Sequence, residues 1–456
     1  MIAPNSLWTR AKKGALGAVI AAALPLTALA AATAAPGCGG EAGSKPVKYP
    51  EGDAGGPVTA GSAQVGVTDG PAGTGLTGAA KDSYDRGWKA WLAGDLPGAK
   101  AAFQETVAKA PDNPAAHYSL GSVSERLGDK AGAQQEFRAS FSAKGDYEPA
   151  ICAYAESLAH SGHTGEADTF LNDKHQKMPQ SAAVTTCLSD VKSQANDSAT
   201  AQQLAQDALR VSPDYKPAMV AIARDHYRAR RMDLAKYALQ AILDGFGDSS
   251  PARDKDNAEA HLLRGLIERE QGQRQAALND FEAARAKRPD MVEVLIQTGA
   301  MKLEAGNIAE ALPILESAVR YAPNSALAHL NLGDAYRLSG RPQDAKKEFD
   351  TALSMDSSLA QAHYDLGLLY LFSPNVPGTT ADSQVATAIR ELETYRSMRG
   401  NRQIGPKGES DDVDELLSRA KAKQAELKNT PAPGAAAAPQ GKTAAPAPAA
   451  TKPAKK

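Results

Sequence analysis

The feature that most limits what this chain can become is a spacing. Gly87, Gly121, Ala155, Ser189 and Ala223 stand 34 residues apart; after one step of 42 the series resumes at Gly265, Gly299, Gly333 and Gly367, again every 34. A repeat of that length cannot bury its own apolar face alone, so the chain must stack like units against one another. The clearest unit runs from Ala326 to Ser357. His329, Leu332, Gly333 and Tyr336 share one side of a first helix, Gly340 marks a turn, and Pro342 suits the first turn of a second helix. Ala345, Phe349 and Ala352 then line that helix's buried side. Gly333 and Ala345 let the two backbones approach closely.

These residues resemble the tetratricopeptide repeat, whose pattern is W-x-x-L-G-x-x-Y, then A-x-x-x-F, then P, with a period of 34. His329 stands in for the Trp and Ser357 for the Pro. The same pattern is carried by Gly87, Ala99, Phe103 and Pro111, by Gly121, Ala133 and Phe137, and by Gly265, Ala277, Phe281 and Pro289. It also appears at Gly299, Ala311, Leu315 and Pro323, and at His363, Gly367 and Tyr370. The units at Ser189 and Ala223 keep the register and lose the signature, and the polar stretch 244–257 supplies the eight surplus residues. The resemblance implies an all-α solenoid over residues 81–398, about nine helix-turn-helix units in a right-handed superhelix. Residues 410–429 read as a capping helix, with Val413, Leu416, Leu417, Ala420 and Leu427 on one face and Asp411 and Asp412 at its start.

Composition excludes other classes. Lys and Arg number 51 against 53 Asp and Glu, so no field of the kind that holds nucleic acid is expected. Three cysteines without C-x-x-C or H-E-x-x-H give no metal site, and no Walker loop, G-x-S-x-G or dinucleotide fingerprint occurs in a strand-to-helix setting. No catalytic residue, cofactor or metal is therefore expected. His117, His261, His329 and His363 each stand four residues before a unit's Gly and read as packing substitutions. His160, His163 and His175 lack the i, i+4 spacing of a helix-borne metal pair.

The ends read differently. Residues 1–37 have Arg10, Lys12 and Lys13 ahead of an Ala-rich apolar run, the charge order of an export signal; a retained membrane helix is the alternative. Gly37 before Cys38 resembles the lipobox of bacterial lipoproteins, which implies lipidation of Cys38 and, with Gly39 following, sorting to the outer membrane. Cleavage at an A-x-A site such as Ala28–Ala30 would instead release a soluble protein. Residues 38–80 are poor in large apolar side chains and read as a tether spanning about 35 Å. Residues 430–456 read as a disordered Pro/Ala/Lys tail.

Taken whole, the layout is similar to that of tetratricopeptide lipoproteins of the bacterial outer membrane, in particular those of the myxobacterial adventurous gliding-motility apparatus. The C-terminal stretches ELETYRSMRGN and DDVDELLSRAKAK carry that likeness. It implies a periplasm-facing, non-catalytic scaffold that binds other envelope or motility-complex proteins; an assembly chaperone for outer-membrane or pilus proteins is the alternative. In the repeat family partners occupy the concave groove. The positions that would line it here are Leu262, Leu266, Arg269, Ile296, Leu303, Leu330, Asp334, Arg337, Tyr364 and Leu368, an apolar groove edged by charge. Cys152 and Cys187 fall side by side on neighbouring first helices, where they either bridge or pack as two small buried residues.

Overall fold

A computed structural model describes residues 74–399 and 412–429. Within them the chain forms nineteen helices and no strand; an isolated bridge joins Gly245 to Pro251. Nine hairpins follow one another: α1 (Gly78–Leu92) with α2 (Leu96–Lys109), α3 (Pro114–Arg126) with α4 (Lys130–Ala143), and α5 (Glu148–His160) with α6 (Thr164–Lys177). Next come α7 (Ala182–Gln194) with α8 (Ser198–Val211), α9 (Lys216–Arg228) with α10 (Met232–Leu243), and α11 (Ala258–Glu270) with α12 (Arg274–Lys287). The last three are α13 (Val292–Glu304) with α14 (Ile308–Tyr321), α15 (Ala326–Leu338) with α16 (Pro342–Met355), and α17 (Ala360–Phe372) with α18 (Ala381–Arg399). A single helix, α19 (Val413–Asn429), closes the stack.

Eight of the nine hairpins turn at the same place. The residue before the second helix's cap is left-handed in eight consecutive units: Gly94, Gly128, Gly162, Asn196, Arg230, Gly272, Gly306 and Gly340. The cap follows at once where the sequence permits. Asp95, Asp129 and Asp197 accept from the backbone N–H three residues on, and Asn113, Ser181, Asn257 and Ser325 do the same at the starts of first helices.

Inside eight of the nine hairpins one small residue faces one larger residue. A Cβ placed at Gly87, Gly121, Gly265 or Gly333 would fall 2.6–2.7 Å from the ring of Phe103, Phe137, Phe281 or Phe349; at Gly299 and Gly367 the obstruction is Leu315 and Leu392. Two middle units hold the sum of volumes by trading sizes, with Ala155 and Ala223 in the glycine position of units whose ring position holds Leu171 and Leu239; the fourth unit instead pairs two small residues, Ser189 and Ala205. Ser189 Oγ also donates to the Ala201 carbonyl at 2.7 Å. Units three and five thus keep the packed volume without the glycine and ring.

First helices make the inner layer and second helices the outer one. In α7 eleven residues are buried, whereas in α6 only Ala167 and Leu171 are. The folded array begins ahead of Lys81: Leu76 is buried in the first core cluster, and Asn113 Nδ2 donates to the Thr74 carbonyl at 2.7 Å, so the last residues of the expected tether belong to the fold. At the other end Val413, Leu416, Leu417 and Ala420 of α19 are buried in the terminal cluster, and Tyr364 Oη donates to Asp412 Oδ1 at 2.7 Å. The expected signal, Cys38 and the Pro/Ala/Lys tail lie outside the described residues.

The spiral also touches itself. Tyr321 Oη donates to the Leu92 carbonyl at 2.8 Å, and Asn324 Nδ2 donates to the Arg126 carbonyl at 3.1 Å, across 229 and 198 residues of sequence. The hairpin corners of units one and two thus meet the ends of units six and seven. Beside them the buried Asp290, paired with half-buried Arg288 at 2.9 Å, faces Arg126; burial works against the Asp290 charge, but the two guanidiniums outweigh it and hold that carboxyl below its ordinary range. A cavity of about 340 Å³ opens at this seam, lined by Leu92, Ala93, Pro289, Leu295, Ile314 and Tyr321. The array therefore makes one closed turn, and units eight and nine run on past the closure.

Candidate interaction surfaces

The expected apolar groove is not open. Leu262, Ile296, Leu303, Leu330, Tyr364 and Leu368 are all buried, and Leu266, Arg269, Asp334 and Arg337 are half-buried. The reason is that successive first helices stack directly. Leu262 shares a cluster with Val294 and Met301 of the next first helix, Ile296 with Ala328, and Leu303 with Leu332 and Ala335. Leu330, Tyr364 and Leu368 join the cluster that α19 covers. Side chains that spacing alone points toward a groove are thus spent on contacts between units. Arg337 is tied to Asp334 at 2.5 Å, and its guanidinium titrates high because Asp334 and Asp365 outweigh burial.

What the inner layer shows instead is paired charge. Arg224 of α9, itself buried, bonds Asp190 of α7 at 2.5 Å and also Glu259 of α11, so one guanidinium clamps three successive units. Tyr227 Oη donates to Glu270 at 2.7 Å in the same stretch. Burial lowers Arg228 and Arg269 from the ordinary guanidinium value and pushes Glu125 up to about 7. The units with the weakest repeat signature thus carry an ionic clamp in addition to apolar contacts such as those of Val220, Ala223 and Tyr227 with Ala260, Leu263 and Ile267.

The histidines taken for packing substitutions are polar clamps. His117 Nδ1 meets Glu136 at 2.6 Å and Nε2 meets the Pro111 carbonyl at 2.8 Å. His261 bridges Asp280 and the Lys255 carbonyl, and His329 bridges Glu348 and the Pro323 carbonyl, at the same offsets of 19 forward and 6 back. Two acceptors per ring favour the imidazolium. His117 is raised first by its bond to Glu136; for His261 and His329 burial opposes the charge, and the carboxylate and carbonyl outweigh it. His363 Nδ1 meets Glu391 at 2.7 Å. Among the described residues no three His, Cys, Asp or Glu side chains gather to hold a metal ion.

Cys152 and Cys187 form a disulfide, with Cα atoms 5.7 Å apart, stapling α5 to α7. Adjacent first helices are close enough here because small residues such as Ala153 and Ala183 separate them.

Residues 84–149 match a family model described as the tetratricopeptide repeat, and residues 302–370 match a second model of the same description. These are tetratricopeptide repeats. Among solved structures the chain is similar to one in the APC/C hetero-tetramer Cut9–Hcn1, with 15% identity over 75% of this chain and 76% of that one and a TM-score of 0.48. It is similar also to YrrB, a TPR protein with an unusual peptide-binding site, at 17% identity over 42% of this chain and 95% of that one, TM-score 0.31. A third is MamA from Desulfovibrio magneticus RS-1, at 22% identity over 40% of this chain and 96% of that one, TM-score 0.33. No curated protein sequence matches the chain. A tetratricopeptide fold implies a scaffold for protein–protein interaction.

Spacing did contain the signal for the clamps, a His followed 19 residues later by an acid in three units. Nothing local announced the seam.

Proposed function

We propose that this protein is a non-catalytic interaction scaffold exported from the cytoplasm and held by a lipid on Cys38 at the periplasmic face of the outer membrane, where it helps assemble a trans-envelope gliding-motility complex. The observation that carries export is the Cys152–Cys187 disulfide, since such bonds persist in oxidising compartments and are rare where thiols are kept reduced. The resemblance of the chain's layout to motility lipoproteins supplies the complex. A scaffold role is favoured over the chaperone alternative because the apolar side chains that would hold unfolded segments are buried between units. The remaining inner surface is charged and internally paired, which suits a defined partner better than exposed hydrocarbon.

The test is fractionation of cells expressing the full chain and its Cys38→Ser form, with radiolabelled fatty acid and crosslinking before lysis. The reading requires label and outer-membrane recovery for the parent, both lost in Cys38→Ser, and one or a few partners crosslinked in fixed ratio. Unlabelled protein in the soluble periplasm overturns the anchor; many substoichiometric partners overturn the scaffold.

A further inference from the structure

The most solvent-exposed large apolar residues of the described fold include three that lie together on the outer wall of unit five. Leu234 is 50% exposed and Tyr237 64%, one helical turn apart on α10, and Phe246, 41% exposed, stacks on Tyr237 with ring centroids 4.9 Å apart. Scattered surface hydrophobes are ordinary; a stacked aromatic pair beside a leucine is a patch.

The loop that presents Phe246 is built to do so. It is the stretch that breaks the period, and it folds back on itself: Phe246 N–H donates to the Ser250 carbonyl at 2.7 Å, Ser250 N–H to Gly247 at 3.0 Å, and Asp254 N–H to Ile242 at 2.8 Å. At its root Gly245 has φ of +72°, and a Cβ there would lie 2.4 Å from the Ser250 carbonyl oxygen. Only glycine fits. A loop with this construction, in a region where eight fewer residues would satisfy the repeat, holds an aromatic ring in water.

The flanking charge narrows the occupant. Asp233 and Asp248 are exposed and make no ion pair among the described residues, while the neighbouring cations are engaged: Arg230 with Glu270, Arg231 with Asp225, and Lys236 with Gln271. Arg253 lies within the field of Asp214. Exposed aromatic pairs receive proline-rich segments, whose extended helix costs little entropy to dock, and two free carboxylates call for lysines. The chain itself supplies such a segment. Residues 430–456 contain six prolines and four lysines and no acidic residue, and they follow directly on α19. Extended at about 3.1 Å per residue they reach on the order of 80 Å. Unit five lies four units back from unit nine, about 30–40 Å along the stack at 8–10 Å per helix layer.

We propose that the Leu234–Tyr237–Phe246 patch is a docking surface for proline-rich, lysine-bearing polypeptide, and that its occupant is residues 430–456 of the same chain. The test is trypsin cleavage at Lys442 in the full-length protein, compared with Tyr237→Ser/Phe246→Ser and, separately, Asp233→Asn/Asp248→Asn. All four positions are exposed, so circular dichroism and melting should match the parent. Docking predicts cleavage at least about fivefold faster in each variant, because proteolysis follows the population of the undocked state. Equal rates in parent and variants overturn the proposal. Protection that disappears on dilution also overturns it, since the occupant would then be the tail of a second copy.

Discussion

At the scale of single residues, the two kinds of glycine in this array are replaceable at different cost. Gly306 has φ of +81° and open space around it, so Gly306→Ala measures backbone strain alone and should lower stability by about 1–2 kcal/mol in urea unfolding. Gly333 has an ordinary backbone and a Phe349 ring carbon 2.6 Å from where a Cβ would go; Gly333→Ala should cost about 1–3 kcal/mol through overpacking, and Gly333→Ala/Phe349→Leu should recover part of it. The histidine clamps make a pH prediction. Their folded values are raised, so their contribution is whole below the unfolded value of about 6.5 and is lost as pH rises through the folded value. The urea midpoint should fall between about pH 6 and pH 9, and His117→Gln/His329→Gln should flatten that slope. Glu125, raised to about 7, acts in the same direction, whereas His160 and His226, lowered by burial, act against it.

At the scale of helices and hairpins, the period made the nineteen elements readable, because a glycine, a facing ring and a left-handed corner recur together. What the period could not show was which side chains remain free. Leu330 and Tyr364 fall at positions that open into a groove in an isolated unit, yet here a neighbouring helix and α19 cover them. The weak middle units were legible only as register: beside the apolar cluster that units five and six share, Asp190, Arg224 and Glu259 join three helices by charge, and nothing in the period marks those positions. Arg224→Ala leaves two buried carboxylates uncompensated and should destabilise by about 3–5 kcal/mol; Asp190→Asn/Glu259→Gln in the same background should restore most of that loss, read by urea denaturation.

At the scale of the whole molecule, closure can be tested by covalent trapping. A Cβ built at Gly94 lies 3.4 Å from that of Arg320, close to the separation of about 3.8 Å found across disulfides. Gly94→Cys/Arg320→Cys should therefore oxidise within one chain, seen as a faster-migrating band in non-reducing electrophoresis; an array that stays open would leave both thiols free to alkylation. This contact was invisible in the sequence because its partners are separated by 229 and 198 residues and two of its acceptors are backbone carbonyls, which carry no residue signature.

Open helical-repeat proteins tolerate duplication or loss of a segment, since each added hairpin merely lengthens the spiral. A clasp that must land on Leu92 and Arg126 after a set number of links removes that freedom. Gaining or dropping one 34-residue link between the second and seventh would bring the wrong faces together, so in this protein the number of repeats is itself under structural constraint, as the number of strands is in a barrel.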